Sequence, residues 1–229
     1  MPAPAPPRRY AQLCGIATAL DVIGDRWALL IVRDLLLGPL RFIDLAEGLP
    51  GIGTNTLTAR LKDLEAAEVI QRRLLPRPDR SAVYELTPYG RELEPILLAL
   101  GRWGTRSMGR LPAGAASRSR WLMAALLAFH NADHRLARPM TWELRLTDGP
   151  FTVHADGTEL RISAGAPDRA DAVITTDDTS LHRLLTHQLS PAQGAATGVV
   201  TVSGDPAALA RLIGLFTFPA VDAPPLSAH

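Results

Sequence analysis

Cysteine and lysine are nearly missing from these 229 residues: there is one Cys, Cys14, and one Lys, Lys62, beside 23 Arg. A single cysteine excludes an intrachain disulfide framework and any all-cysteine metal site within one chain, leaving Cys14 an intermolecular or redox role. The excess of Arg over Lys reflects genomic base composition as readily as phosphate binding and carries no weight alone. Long apolar runs are also absent. The longest, Trp121 to Phe129, is half of the roughly 18 residues that would suggest a membrane span. The opening MPAPAPPRRYAQ has no apolar stretch after its basic pair, so it reads as a short disordered lead and not as a secretory signal. No membrane contact and a cytoplasmic location are expected. There is no G-x-S-x-G elbow, P-loop or dinucleotide fingerprint, so neither a cofactor nor an enzymatic activity is expected. His130, Asp133 and His134 fall at i, i+3, i+4 spacing on an expected helix, but a third ligand and the glutamate of an H-E-x-x-H site are missing; an exposed helix face is the better reading. His182 and His187, five apart, read as solvent-facing.

What is present is an ordinary globular composition, with 47% hydrophobic and 21% charged residues, at a length that suggests two domains. The net charge of +1 hides an asymmetry. Residues 1–110 hold 14 Arg and Lys62 against 12 acids (+3), and the remainder holds 9 Arg against 11 acids (−2). A basic first half hints at a polyanionic partner. The turn-rich stretch Gly109 to Ser119 separates two differently patterned regions. The expected organisation is a lead at 1–11, a first domain at 12–108, a linker at 109–118, a second domain at 119–218 and a tail at 219–229.

In the first region apolar residues recur at helical spacing. Leu13, Ala17, Leu20 and Ile23 mark a helix stopped by Gly24. Asp25 caps a second, Arg26 to Leu37, and a third runs from Arg41 to Leu49 with Phe42, Leu45 and Leu49 inward. The glycine-bracketed turn at 50–53 leads to a fourth from Thr54, and helix, tight turn, helix is a helix-turn-helix signature. On the fourth helix Leu57, Leu61 and Leu64 share one side, and the opposite side carries Asn55, Thr58, Ala59 and Lys62. Small residues there permit close approach to a major groove, Asn can pair bidentately with adenine, and Lys62 can reach guanine or phosphate. A merely solvated face is the competing reading. Two strands follow, Val69 to Pro76 and Ser81 to Leu86, joined by RPDR. The hairpin carries Arg72, Arg73, Arg77 and Arg80, opposed on this reading by Asp79 alone, and a basic hairpin after a helix-turn-helix is a wing suited to phosphates or a minor groove. Thr87 then caps a long helix begun by Pro88, whose Tyr89, Leu93, Ile96, Leu100 and Trp103 form an apolar seam that a small domain cannot bury alone.

Cys14, Gly24, Arg26 and Trp27, Leu40 to Phe42 with Leu45, GIGTNTLTARLKDLE (51–65), VIQRRLLP, VYELTPYG and the closing Leu93, Leu100 and Trp103-Gly104 resemble the HxlR family of winged-helix transcriptional regulators, related to the MarR type. Gly15 stands where a proline often follows the cysteine. The resemblance implies a homodimer joined through the N-terminal and post-wing helices, here Leu13, Leu93, Ile96, Leu100 and Trp103, on a roughly palindromic operator in double-stranded DNA. Arg41, Thr54, Asn55, Thr56, Thr58, Lys62, Arg72, Arg73, Arg77 and Arg80 are the expected DNA contacts, with Arg60 flanking the buried stripe as a structural residue. Some family members use the equivalent cysteine as a redox or electrophile sensor. For Cys14 the competing reading is a small buried residue at the dimer interface, favoured by the lack of a nearby lysine or histidine.

The second region begins with an expected helix, Ser119 to Leu136. Three alternating segments (141–146, 151–155 and 159–163), a fourth strand AVITT, a helix near Asp178 to Gln188, a fifth strand at 198–204 and an Asp205-capped helix follow. The pattern predicts an α+β fold with helices on one face of an antiparallel sheet. Asp171, Ser190-Pro191, Gly198, Gly204-Asp205 and Leu209 resemble the end of a sterol-carrier-protein-type domain, with His187 where that family often has glycine. This implies a fold able to enclose a small hydrophobic ligand; Trp121, Phe129, Trp142, Phe151 and Phe216 are the candidate lining, though such residues can equally be core. A purely structural second domain, a lipid carrier and an enzyme with an unrecognised site are the rival readings.

Overall fold

The apolar residues of the first region fall onto short helices whose ends are set by single side chains. In a computed structural model, in which residues 9–107, 117–157 and 159–219 are described, α1 (Gly15–Ile23) ends where the Gly24 amide donates to the Leu20 carbonyl at 2.9 Å. A Cβ on Gly24 would stand 2.4 Å from that oxygen. The carboxylate of Asp25 accepts from the Trp27 amide at 2.9 Å and leads into α2 (Ala28–Leu35). This helix is shorter at both ends than Arg26 to Leu37, because the flanking residues form turns. Its Ala28, Ile31, Val32 and Leu35 are buried. The helix-turn-helix pair is α3 (Phe42–Gly48) and α4 (Thr54–Ala66). Leu57, Leu61 and Leu64 anchor α4 in the core at 2% exposure or less.

The wing is an antiparallel pair, β2 (Ile70–Leu74) and β3 (Ala82–Leu86), in register from Ile70 opposite Leu86 to Leu74 opposite Ala82. A strand too short to read from periodicity, β1 (Leu40–Arg41), pairs with β3 on its other side and places Leu40 opposite Tyr84. It lays the start of α3 against the wing. Thr87 caps the next helix by accepting from the Gly90 amide at 2.9 Å, yet the expected long helix is broken. It forms α5 (Pro88–Arg91) and α6 (Glu94–Thr105), separated at 92–93. Pro95 is the cause: it has no N–H to donate to the Arg91 carbonyl, and its ring would clash with that carbonyl in a continuous helix.

By compactness the chain divides into 1–94 and 95–229, so α6 groups with the second unit. Most of the expected lead, linker and tail lies outside the described residues.

In the second unit α7 (Ser119–Ala128) buries Met123 and Leu126. It stops at Ala128, eight residues short of Leu136. There the chain is drawn into a bridge with the C-terminal segment, in which the Asn131 amide donates to Leu215 at 2.7 Å and the Thr217 amide to Phe129 at 2.9 Å. Phe129 and Phe218 stack with ring centres 4.5 Å apart. Tertiary pairing overrides helix propensity here, so His130, Asp133 and His134 do not share a helical face. The sheet contains β4 (Met140–Leu146), β5 (Gly149–Ala155), β6 (Leu160–Ala164), β7 (Ala172–Thr176) and β8 (Val200–Gly204), in the order β6-β5-β4-β7-β8. β4 and β7 are parallel, with Trp142 opposite Ala172 and Leu144 opposite Ile174, so the sheet is mixed and not antiparallel throughout. Alternation reports which face a residue takes and is silent on strand direction.

Three helices complete this α+β unit. α8 (Asp178–Leu185) is capped by Asp177, whose carboxylate accepts from the Ser180 amide and hydroxyl. α9 (Pro191–Ala196) opens with a reciprocal Ser190–Gln193 capping box and is not among the helices read from the sequence. α10 (Ala208–Gly214) begins after Asp205 accepts from the Ala207 amide at 2.8 Å. The alternating residues Trp142, Leu144, Val153 and Ile174 on the sheet and Leu181 and Leu212 on the helices are 0% exposed.

Candidate nucleic-acid interface

The buried leucine stripe of α4 fixes which side of that helix reaches solvent. Thr54, Asn55, Thr56 and Lys62 are exposed, and Thr58 and Ala59 are half-buried. The Thr58 hydroxyl donates to the Thr54 carbonyl at 2.8 Å, which turns it toward its own helix. Among the described residues Asn55 and Lys62 have no side-chain hydrogen-bond or ion-pair partner. Arg60 lies to one side, paired with Asp63 at 3.0 Å and with Asp25 at 3.7 Å, which ties α4 to the turn before α2. That is a structural role.

The wing arginines fall into two sets. Arg73 grips Glu85 with two nitrogens, at 3.0 and 2.9 Å, and Gln71 donates to the same carboxylate at 2.8 Å. The Arg73 guanidinium holds the Glu85 carboxyl below its ordinary range. Asp79 is therefore not the sole acid opposing this hairpin. The pairing follows from the register: Gln71 faces Glu85 and Arg73 faces Val83, so Arg73 reaches Glu85 on the diagonal. Arg41 makes an ion pair with Asp79, whose carboxylate also accepts from the Ser81 amide and hydroxyl. Those Ser81 bonds first, and Arg41 after them, hold Asp79 below its usual range. Arg72, Arg77 and Arg80 are exposed and without an ion-pair partner among the described residues. The interface thus presents four uncompensated cations, Lys62 and three arginines, and two compensated ones.

The residues expected at a subunit contact are mostly solvent-facing in the single chain. Leu13 is fully exposed beside α1, and on α6 Trp103 is 72%, Ile96 54% and Leu100 45% exposed; Leu93 is half-buried. Tyr10, Ile16 and Leu20 are exposed too. Sequence reading did not assign these three to the contact, although Leu13, Ile16 and Leu20 are spaced three and four apart. Cys14 is the exposed N-cap of α1. The amides of Ala17 and then Ile16 hold its thiol below the ordinary cysteine value, as expected where backbone N–H groups converge at a helix start.

The five candidate ligand-lining residues are differently placed. Trp142, Phe151, Phe216 and Phe129 are buried at 8% exposure or less, and Trp121 is half-buried. The Trp142 indole donates to the Ala208 carbonyl at 3.0 Å, which fastens β4 to the start of α10. These four are packed core. No described helix is long and apolar enough to cross a membrane.

Comparison with known proteins also divides the chain in two, but places α6 with the first part and not with the second. The HxlR-like helix-turn-helix family matches residues 22–111, and the SCP-2 sterol transfer family matches residues 123–217. The uncharacterized HTH-type transcriptional regulator sll1512 of Synechocystis is 37% identical over 94 residues, 41% of this chain and 70% of that protein. The uncharacterized HTH-type regulator YdeP of Bacillus subtilis is 33% identical over 105 residues, 46% of this chain and 82% of that protein. Among solved structures, the reduced form of the B. subtilis transcriptional regulator YodB is 30% identical, covering 44% of this chain and all of that one, with a TM-score of 0.38.

Proposed function

The chain belongs to the HxlR-like helix-turn-helix family of transcriptional regulators, and on that basis we propose that it acts as a homodimer reading a pseudo-palindromic operator in double-stranded DNA. The observation that carries this reading is the juxtaposition on one unit of an exposed α4 face, with Asn55 and Lys62 unpartnered, and a wing with three uncompensated arginines. Asn55, Thr56 and Lys62 reach base edges, with Thr54 and Thr58 at the groove margin. Arg72, Arg77 and Arg80 neutralise phosphates; Arg41 and Arg73 brace the wing from their acidic partners. The exposed apolar residues of α1 and α6 are covered by the second subunit, which sets two recognition helices about 34 Å apart. Footprinting of the promoter region of its own gene tests the reading. Wild type is expected to protect a two-fold-symmetric site, and Asn55→Ala to lose that pattern while keeping salt-sensitive binding to any duplex. Identical footprints from the two proteins would remove α4 from base reading.

Two observations support control of this binding by a signal. The first is the match of the second unit to the SCP-2 sterol transfer family, which favours a small hydrophobic ligand held between sheet and helices near Trp121. Because Phe129, Trp142, Phe151 and Phe216 are packed, such a ligand enters by displacing core contacts, and it changes DNA affinity only if it binds the DNA-competent geometry differently. Native mass spectrometry of the purified protein, followed by footprinting with a cell lipid extract, tests this; a protein that carries no adduct and whose footprint the extract leaves unchanged speaks for a structural domain. The second observation is the exposed Cys14 with its lowered thiol, which favours redox control. Diamide is then expected to change DNA affinity in wild type and not in Cys14→Ser, and equal responses exclude it.

A further inference from the structure

A cavity of about 150 Å³ opens at one end of the second unit's sheet, lined by Leu136, Ala137, Arg138, Met140, Asp205 and Arg211. It is separate from the aromatic residues of the core. Its volume is about ten times what admits a single water and below the roughly 300 Å³ of a drug-sized pocket. The apolar part of the lining comes from Leu136, Ala137 and Met140, and the charged part from two guanidinium groups and the Asp205 carboxylate.

Those guanidinium groups are only partly used. A guanidinium carries five N–H donors on three nitrogens. Arg138 employs Nη1, toward Asp171 at 2.9 Å and the Pro139 carbonyl at 3.3 Å. Arg211 also employs Nη1, toward Asp205 and, at 4.0 Å, the Met140 sulfur. The Nε and Nη2 edge of each, the edge that fits a carboxylate bidentately, has no protein partner among the described residues. The two aspartates hold the arginines in place and are themselves fixed. Asp171 accepts from the Thr141 amide at 2.8 Å, and Asp205 from the Ala207 amide. Both carboxyls lie below their ordinary range, Asp171 through the Thr141 amide and then Arg138, Asp205 through Arg211 and then the Ala207 amide. Arg169 acts on Asp171 as a third cation, and Arg138 on Asp205. Among the lining residues two arginines stand against one aspartate, a net charge of +1, which suits a monoanion better than a dianionic phosphate.

We propose that this cavity binds a small organic monocarboxylate carrying a short apolar chain or single ring. The carboxylate lies on the free edges of Arg138 and Arg211, and the apolar part rests on Leu136, Ala137 and Met140. The site is independent of the DNA interface and of an apolar ligand in the interior, so either can fail without it. Isothermal titration of the full chain with hexanoate, benzoate and hexan-1-ol tests it. Both anions are expected to bind saturably at one per chain, and hexan-1-ol at least about tenfold more weakly, since a charge-assisted pair is worth a factor of ten or more. Arg138→Gln and Arg211→Gln should each weaken hexanoate by at least about tenfold; Arg161→Gln, on strand β6, should not. Because Arg211 also braces the start of α10, Ala137→Trp is the second probe: it fills the cavity from an exposed position and should abolish binding in a protein of unchanged circular dichroism. Absence of saturable heat up to about 10 mM, equal affinity for hexan-1-ol, or full binding in folded Ala137→Trp overturns the proposal.

Discussion

The division of the basic residues into compensated and uncompensated sets fixes how steeply DNA binding depends on salt. Each phosphate neutralised on duplex DNA steepens the slope of log K against log salt by about 0.9. Arg72, Arg77 and Arg80 have no acidic partner among the described residues, so a dimer that uses these three from each subunit on phosphates has a slope of about −5. Arg72→Gln removes one contact from each subunit and should flatten that slope by about two. The double replacement of Arg73 and Glu85 by glutamine also removes a guanidinium yet leaves the net charge unchanged, and it should move the slope by much less than one. Exposed ion pairs are worth about 1 kcal/mol or less, so the persistence of Arg73–Glu85 beside DNA depends on its second donor, Gln71, and on Glu85 being only 19% exposed. Asp79 is 44% exposed, so the matching double variant of Arg41 and Asp79 should fall between the other two. Fluorescence anisotropy on one duplex from 50 to 300 mM KCl reads all four proteins. If the Arg73–Glu85 double variant flattens the slope as much as Arg72→Gln, the pair opens on DNA and the division into two sets is wrong.

Other consequences concern stability and reactivity. A Cβ on Gly90 would stand 1.9 Å from the Val69 carbonyl oxygen; Gly90→Ala should cost about 3 kcal/mol in urea denaturation, and a loss below about 1 kcal/mol would mean that α5 can move away. Thr87→Ala deletes the cap of the same helix and should cost about 1 kcal/mol, with an unchanged midpoint counting against the cap. Burial holds the His130 imidazole below its ordinary value. Its contribution is therefore intact above the unfolded value of about 6.5 and is lost as pH falls from there through the folded value, because the unfolded chain takes up the proton more readily. Urea midpoints should drop between pH 7 and pH 5 less in His130→Gln than in wild type, and parallel pH profiles would exclude this histidine as a source. At neutral pH the Cys14 thiol should react with iodoacetamide faster than free cysteine, given the amides that stabilise its thiolate; a slower reaction would place it under a subunit contact.

Local signals with a single physical cause were legible in the sequence. Gly24 as a stop, the Thr87 cap and the 57, 61, 64 leucine stripe each depend on residues within a few positions of one another, and each stands as expected. The larger departures in the second unit involve distant partners. The bridge between 129–131 and 215–217 ends α7 early, and the parallel pairing of β4 with β7 joins strands that periodicity describes identically in either direction. Pro95 is the exception. Its missing N–H was visible in the sequence, but the apolar spacing of three and four ran through it and outweighed the breaker.

The candidate sites divide along the same line. An inward residue that packs and one that lines a cavity obey one alternation, so the spacing of Trp142 and Phe151 shows that they face inward and is silent on which of the two they do. Charge behaves likewise. The +3 of residues 1–110 pointed to a polyanion, but it could not say which arginines are available to one. That depends on a two-residue diagonal across the hairpin for Arg73 and on β1 laying Arg41 beside Asp79. A count of basic residues on a wing therefore sets an upper bound on its phosphate contacts, and strand register determines how far below that bound the interface operates.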